Sequence, residues 1–128
     1  MTKEEYDLLS GRIISACIEV HRNLGPGLLE KVYEFCLMKE FELRGIKAEC
    51  QVPVALTYKG FETEKTYMID ILVEDSILIE IKAAEAMNPV YEAQIISYLK
   101  LAEKKLGLLV NFNVPLMKQG IKRFVNGM

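Results

Sequence analysis

Apolar residues recur every three or four positions over the first third of the chain, a spacing typical of amphipathic helices. Thr2 to Glu5 fits a capping box, and a first helix of about five turns follows from the stripe Tyr6, Leu9, Ile13, Cys17, Val20 and Leu24. Gly25-Pro26-Gly27 should end it, because proline cannot continue the helical hydrogen bonds. A second helix is predicted from near Leu28 to Gly45.

From Lys47 onward the apolar period changes to two, which indicates β-strands. Apolar and polar residues alternate from Cys50 to Tyr58, and Pro53 within this run lacks a hydrogen-bond donor, so the strand should lie at a sheet edge or carry a bulge. Lys59-Gly60 predicts a tight turn into a second strand. The first three strands should therefore form an antiparallel meander.

The second half of this meander, Tyr67–Ala83, carries charged residues among β-branched ones. Glu80 and Lys82 share one face of their strand, because side chains alternate. Asp70 lies opposite Glu80 only if Glu74-Asp75-Ser76 forms a three-residue loop. The hydrophobic pattern selects this register, because only then do the apolar residues of both strands form a single face, from Tyr67, Ile69, Ile71, Val73, Ile77, Ile79 and Ile81.

The C-terminal third is predicted to contain a helix, a strand and a final helix. Asn88-Pro89 reads as a helix start, with the helix running to Lys105. The apolar run 108–112 indicates a buried strand that a helical crossover would place parallel to the third strand. The segment Met117–Val125 is predicted as a short amphipathic helix. The order ααβββαβα defines an α/β fold with a mixed sheet, a three-stranded antiparallel meander plus a parallel fourth strand flanked by helices, and 128 residues suit a single domain, 1–128.

Charge and cysteine content narrow the classes of function. The net charge is −2, yet after Ala86 six lysine and arginine residues face two glutamates, which fits either a polyanion partner or solvated helix faces. Three cysteines without CxxC spacing indicate reduced thiols and a cytoplasmic protein. No signal peptide or apolar run long enough for a membrane span is recognisable, so no membrane partner is expected.

Two carboxylates and a lysine on one hairpin face suit phosphodiester hydrolysis. Asp70 and Glu80 could coordinate Mg²⁺, which takes one or two carboxylates in addition to water and phosphate. Lys82 could orient or deprotonate the attacking water and offset charge in the transition state. The alternative is an exposed ion pair worth ~0–1 kcal/mol, since such spacings arise often by chance.

Asp70, Glu80-x-Lys82 and a following helix with Gln94 resemble the PD-(D/E)xK nuclease superfamily. Within it, Gly27-Leu28-Leu29-Glu30-Lys31-Val32-Tyr33 resembles the signature of the GxxExxY family, and the similarity continues at residues 21–27, 79–83, 92–94 and 120–123. The resemblance covers nearly the whole chain. It implies a restriction-endonuclease-like core, to which the predicted order adds a helix at each end.

The resemblance also implies roles for individual residues. Asp70 and Glu80 match metal ligands and Lys82 matches a catalytic lysine, with Mg²⁺ or Mn²⁺ as cofactor. Ile69 stands where the superfamily's proline would be, a departure frequent among relatives. Glu30 matches a helical glutamate near the metal, the alternative being a solvated carboxylate. Gln94 should face the site as a catalytic residue, in one stripe with tyrosines three residues before and four residues after it.

Three further residues have both functional and structural interpretations. Tyr33 lies three residues after Glu30 and would either hydrogen-bond a site carboxylate or cover the sheet. Tyr98 would either support the site or pack into the core. His21 is the only histidine and lies near a helix C-terminus, where a structural role through the helix dipole outranks catalysis.

The combined expectation is a metal-dependent nuclease acting on DNA, with RNA as the alternative substrate. The alternative is a catalytically inactive nuclease-fold module that binds nucleic acid or protein, favoured by the low overall basicity. A free edge strand would allow a homodimer.

Overall fold

The computed structural model describes residues 1–128, and its two N-terminal helices follow the predicted pattern. Helix α1 spans Lys3–Leu24, and the Thr2 hydroxyl accepts a hydrogen bond from the Glu5 amide in the predicted capping box. Helix α2 spans Glu30–Leu43, two residues shorter at each end than predicted. The two helices pack against each other and bury their apolar stripes on one face of the sheet.

The predicted meander is present. Strand β1 spans Ala48–Tyr58, β2 spans Phe61–Val73 and β3 spans Ile77–Lys82, with antiparallel pairing throughout. Lys59 and Gly60 both have positive φ angles, of 49° and 82°, as a two-residue hairpin turn requires. Strand β1 lies at the sheet edge, as Pro53 predicted.

A helical crossover then adds a parallel strand. Helix α3 spans Pro89–Ala102, with the Asn88 side chain accepting a hydrogen bond from the Val90 amide. The helix ends three residues before the predicted Lys105, because Glu103 adopts a left-handed conformation with φ of 55°. Strand β4, Leu106–Asn111, pairs parallel to β3 as predicted.

The predicted final helix over Met117–Val125 is wrong. Met117–Gly120 forms a short 3₁₀ helix and Ile121–Val125 forms strand β5, antiparallel to β4. Apolar residues at 121 and 124 fit either a helical or an extended segment, and the unpaired edge of β4 decides the outcome because its backbone groups require partners. The order is ααβββαβ followed by β5, in a five-stranded sheet ordered β1-β2-β3-β4-β5.

The mixed sheet is covered on both faces. One apolar cluster joins α1 and α2 to alternate residues of the central strands, and a second joins α3 to the opposite face. Every residue of β4 is buried, as its two-sided apolar sequence predicted. The α/β class with helices flanking a mixed sheet is therefore confirmed, and the carboxyl ends of β3 and β4 lie between the two layers.

The cysteine side chains and the helices relate to the expectations of reduced thiols and of no membrane span. All three thiols are free; Cys17 is buried, Cys36 half-buried and Cys50 exposed. Burial raises the pKa of Cys17 to about 12. None of the helices combines the length and the apolarity needed to cross a lipid bilayer.

Gly120 is expected to tolerate no side chain. A Cβ atom at this position would lie 2.0 Å from the Asn111 carbonyl oxygen, so Gly120→Ala should lower the free energy of unfolding by about 1–3 kcal/mol or more. A Cβ atom at Gly11 in α1 would have no other atom within 4 Å, and Gly11→Ala should leave stability equal or slightly higher. Urea denaturation of both variants measures the difference, and equal stabilities would contradict this packing.

Candidate active site

The β2–β3 hairpin brings Asp70 and Glu80 together in the predicted register. Val73 lies opposite Ile77, so residues 74–76 form the three-residue loop, and continuing the same register places Asp70 opposite Glu80. Each of the two strands then donates a backbone amide hydrogen bond to the carboxylate on the other strand. The Asp70 amide donates to Glu80 Oε1 at 3.4 Å, and the Ile81 amide donates to Asp70 Oδ2 at 2.8 Å.

The neighbouring strand is irregular opposite this pair. Gln51 in β1 has a φ of 53°, and the regular pairing of β1 with β2 skips Gln51 and Asp70. Left-handed backbone at a residue other than glycine is uncommon and concentrates at functional sites. The side-chain alternation of β2 shifts at this point.

That shift corrects the prediction of one continuous apolar face. Ile71 packs with α1 and α2, as do the isoleucines of β3. Ile69 instead packs in the α3 cluster, and Tyr67 contacts Tyr98 of α3. The alternation argument assumed regular pairing, and the left-handed residue in β1 removes that condition.

The carboxylate pair is poorly solvated. Glu80 is only 6% exposed, and burial, with repulsion from Asp70, raises the pKa of Glu80 to about 8. Burial also raises the pKa of Asp70, opposed by the hydrogen bond from Ile81 and reinforced by the charge of Glu34. At neutral pH the two groups therefore favour sharing a proton or a cation.

Helix α2 supplies two more carboxylates. The predicted Glu30 reaches the end of β3, where its Oε2 accepts a hydrogen bond from the Ala83 amide at 3.3 Å. Glu34, which sequence reasoning missed, lies one turn later on the same helix face and accepts a hydrogen bond from Gln51 Nε2 at 2.7 Å. The four-residue spacing from Glu30 was the available signal.

Lys82 lies beside the pair but makes no hydrogen bond or ion pair with either carboxylate. Its Nζ is 4.6 Å from the ring centroid of Tyr91 in α3, a cation–π contact. It adds an attraction that favours the charged forms of Asp70 and Glu80. No carboxylate lies within ion-pair distance of the Lys82 ammonium group.

Helix α3 presents the predicted polar and aromatic stripe. Gln94 is exposed and lines a cavity together with Tyr98. Burial raises the pKa of Tyr98, and the charges of Glu80 and Asp70 raise it further. Gln94 and Tyr98 thus lie on one wall of a cavity beside α3.

Tyr33 and His21 lie away from this cluster. The Tyr33 hydroxyl donates to the Gly25 carbonyl at 2.6 Å and accepts from the Leu28 amide at 3.1 Å, and its ring stacks on Phe112. His21 Nε2 lies 2.8 Å from the Val114 carbonyl oxygen. Each side chain thus joins a helix to a loop, and neither contacts a site carboxylate.

Asn111, a buried residue that sequence reasoning also missed, fixes the segment after Lys82. Its amide group accepts from Ala84 and Asn113 and donates to the Ala84 carbonyl. The polar residue at the end of an apolar run was a signal, and only the parallel register shows that it stands beside Lys82.

The donor set suits a hard divalent cation. Asp70 and Glu80 each use one oxygen on the opposite backbone, leaving Oδ1 and Oε2 free of backbone partners. A cation between them would replace a shared proton and relieve their repulsion. No group of three or more carboxylate, imidazole or thiol side chains is placed to enclose an ion, so Mg²⁺ or Mn²⁺ would depend on this pair with water.

Comparison with known proteins identifies the class. The family model described as the PD-(D/E)XK nuclease superfamily matches residues 7–124. The chain therefore belongs to the PD-(D/E)XK nuclease superfamily, whose nucleases are generally dependent on divalent metal ions. No curated protein matches the chain.

A solved structure is also similar. The crystal structure of SSO0001 shares 21% identity with the chain at a TM-score of 0.49, covering 73% of this chain. The chain spans 47% of the length of that protein, about half.

Proposed function

We propose that this protein is a metal-dependent nuclease that hydrolyses phosphodiester bonds of DNA, with RNA as the alternative substrate. The observation that carries the proposal is the Asp70–Glu80 pair, in which Glu80 is buried and Asp70 half-buried, beside Lys82 at the open end of a hairpin. Membership of the nuclease superfamily supports it. We assign the chain to the GxxExxY group on the Gly27–Tyr33 motif.

Asp70 and Glu80 are the proposed ligands of Mg²⁺ or Mn²⁺. Glu30, which the sequence offered as a third ligand, accepts a hydrogen bond from the Ala83 amide instead of completing a three-residue group. A bound divalent ion supplies Lewis-acid stabilisation of the charge on the phosphoryl oxygens. The pair is preorganised, because each carboxylate is already oriented by a backbone amide of the opposite strand. Burial strengthens its attraction for a cation.

Lys82 is the proposed catalytic lysine. The Tyr91 ring holds its ammonium group near the pair, where it can donate a hydrogen bond to the attacking water or to a phosphoryl oxygen. Gln94 is exposed on α3 and can orient the water or the phosphate through its amide. These groups act on the phosphate, so they require no particular base sequence.

A homodimer is a further proposal, supported by β1, whose outer edge is unpaired over eleven residues. Pro53 and exposed charged residues limit how much of this edge can pair. Sedimentation measurements that show only monomer at every concentration would contradict the homodimer.

The experiment is a cleavage assay of single-stranded and double-stranded DNA and RNA with Mg²⁺, Mn²⁺ or EDTA. We expect cleavage with a metal and none with EDTA. Asp70→Asn is the control for contaminating nucleases, because it removes a ligand charge and nearly preserves shape. Cleavage in EDTA, or undiminished cleavage by Asp70→Asn, would contradict the proposed function, and no cleavage of any substrate would favour a binding module.

A further inference from the structure

We propose that the cavity beside the carboxylate pair binds an unpaired nucleobase of the strand to be cut. The inference rests on the proposed function and names its substrate class. The cavity has a volume of about 520 Å³ and lies between α3 and the β1–β2 hairpin. The residues that line it include Leu56, Tyr67, Gln94, Tyr98, Lys100 and Leu101.

The cavity lies one helical turn along α3 from the candidate active site. The Lys82 ammonium group lies over an α3 tyrosine ring three residues before Gln94, which lines the cavity together with Tyr98. Tyr67, on the opposite wall, precedes Asp70 by three residues in β2. A nucleotide whose phosphate reached the carboxylates would therefore bring a neighbouring base to these two rings.

The cavity walls can stack against the ring faces of a nucleobase and can hydrogen-bond its polar edge. The Tyr67 and Tyr98 rings lie 5.4 Å apart at 47°, and Tyr67 remains 40% exposed, so a ring face is open for stacking. Leu56 and Leu101 add apolar surface. The Gln94 amide offers both donors and an acceptor for a base edge.

Charge favours an unpaired strand over a duplex. The protein is acidic overall, and Lys100 is the cationic residue that lines the cavity. Duplex binding depends chiefly on many phosphate contacts from lysine and arginine, and its stacked bases expose no ring face. A single strand gains base stacking instead, which requires fewer cations.

The experiment measures binding separately from cleavage, by fluorescence anisotropy in EDTA. The probes are labelled short oligothymidylate, the same strand with abasic sites throughout, oligouridylate, and a duplex of the same length. We expect the intact single strands to bind about 5- to 100-fold more tightly than the abasic strand. The DNA and RNA arms decide which sugar is preferred.

Variants test which residues cause the preference for intact over abasic strands. Tyr67→Leu should reduce the preference for intact over abasic strand to within about twofold, and Gln94→Ala at an exposed position should weaken it in the same direction. Tyr58→Leu is the matched control, because Tyr58 is an exposed tyrosine at the hairpin tip, outside the cavity. It should retain the full preference.

Three results would overturn the inference: equal binding of intact and abasic strands, an undiminished preference in Tyr67→Leu, or no binding of any single strand. Binding with the expected preference but without cleavage in the presence of metal would uphold the inference and refute the proposed function. Failure of base binding in the cavity is therefore distinguishable from failure of the proposed nuclease activity.

Discussion

Lys82→Ala is expected to lower the rate of metal-dependent cleavage by about 10²–10⁴-fold. The variant removes the proposed donor to the attacking water or to a phosphoryl oxygen, and it breaks no ion pair. The protein should stay folded, because the lost contact with Tyr91 is worth only about 0.5–1 kcal/mol at a partly exposed site.

Lys59→Ala provides the matched control for this variant. Lys59 also lies over a tyrosine ring, with its Nζ 5.4 Å from the Tyr58 centroid at the hairpin tip. Its replacement removes the same charge and the same kind of contact away from the carboxylates. Steady-state rates at saturating Mg²⁺ compare the two variants, and a Lys82→Ala rate equal to that of Lys59→Ala would refute the catalytic role.

Glu80→Gln is expected to stabilise the metal-free protein at alkaline pH. The folded-state pKa of Glu80 is raised from 4.5 to about 8, so between these values the folded state binds more protons than the unfolded state. Stability of the wild type should therefore fall as pH rises through this window and level off above it. Each pH unit within the window corresponds to about 1.4 kcal/mol at most.

Glutamine cannot ionise, so Glu80→Gln should show a flatter dependence and exceed the wild type most at the alkaline end. Urea denaturation in EDTA from mildly acidic to alkaline pH measures both curves. Glu85→Gln, an exposed position in the loop after β3, is the control and should follow the wild type. Stability of the wild type that rises with pH across the window would contradict the electrostatic description of the pair.

The local features of the site could be predicted from the sequence. Alternation of β-branched residues and the length of the loop at 74–76 set the β2–β3 register, and this register alone places Asp70 opposite Glu80. Glu30 followed from the resemblance of residues 27–33 to a family signature. These predictions depend on residues close together in the chain.

Features that depend on distant partners were missed. Strand β5 forms because β4 has a free edge, which the sequence of residues 121–125 does not show. Glu34 enters the site through Gln51, a contact between α2 and β1. The shift at Gln51 reverses the orientation of Ile69, since a left-handed residue in one strand changes the alternation of its neighbour.

Asp70 and Glu80 together are expected to bind a divalent cation, and this is the claim on which the proposed function depends. Isothermal titration of Mn²⁺ into the wild type near neutral pH tests it, with Asp70→Asn and Glu85→Gln as the paired variants. We expect saturable binding by the wild type and by Glu85→Gln, accompanied by proton release because the cation displaces the proton of Glu80, and we expect no binding by Asp70→Asn. Absence of binding by the wild type at millimolar Mn²⁺, or equal binding by Asp70→Asn, would contradict the claim.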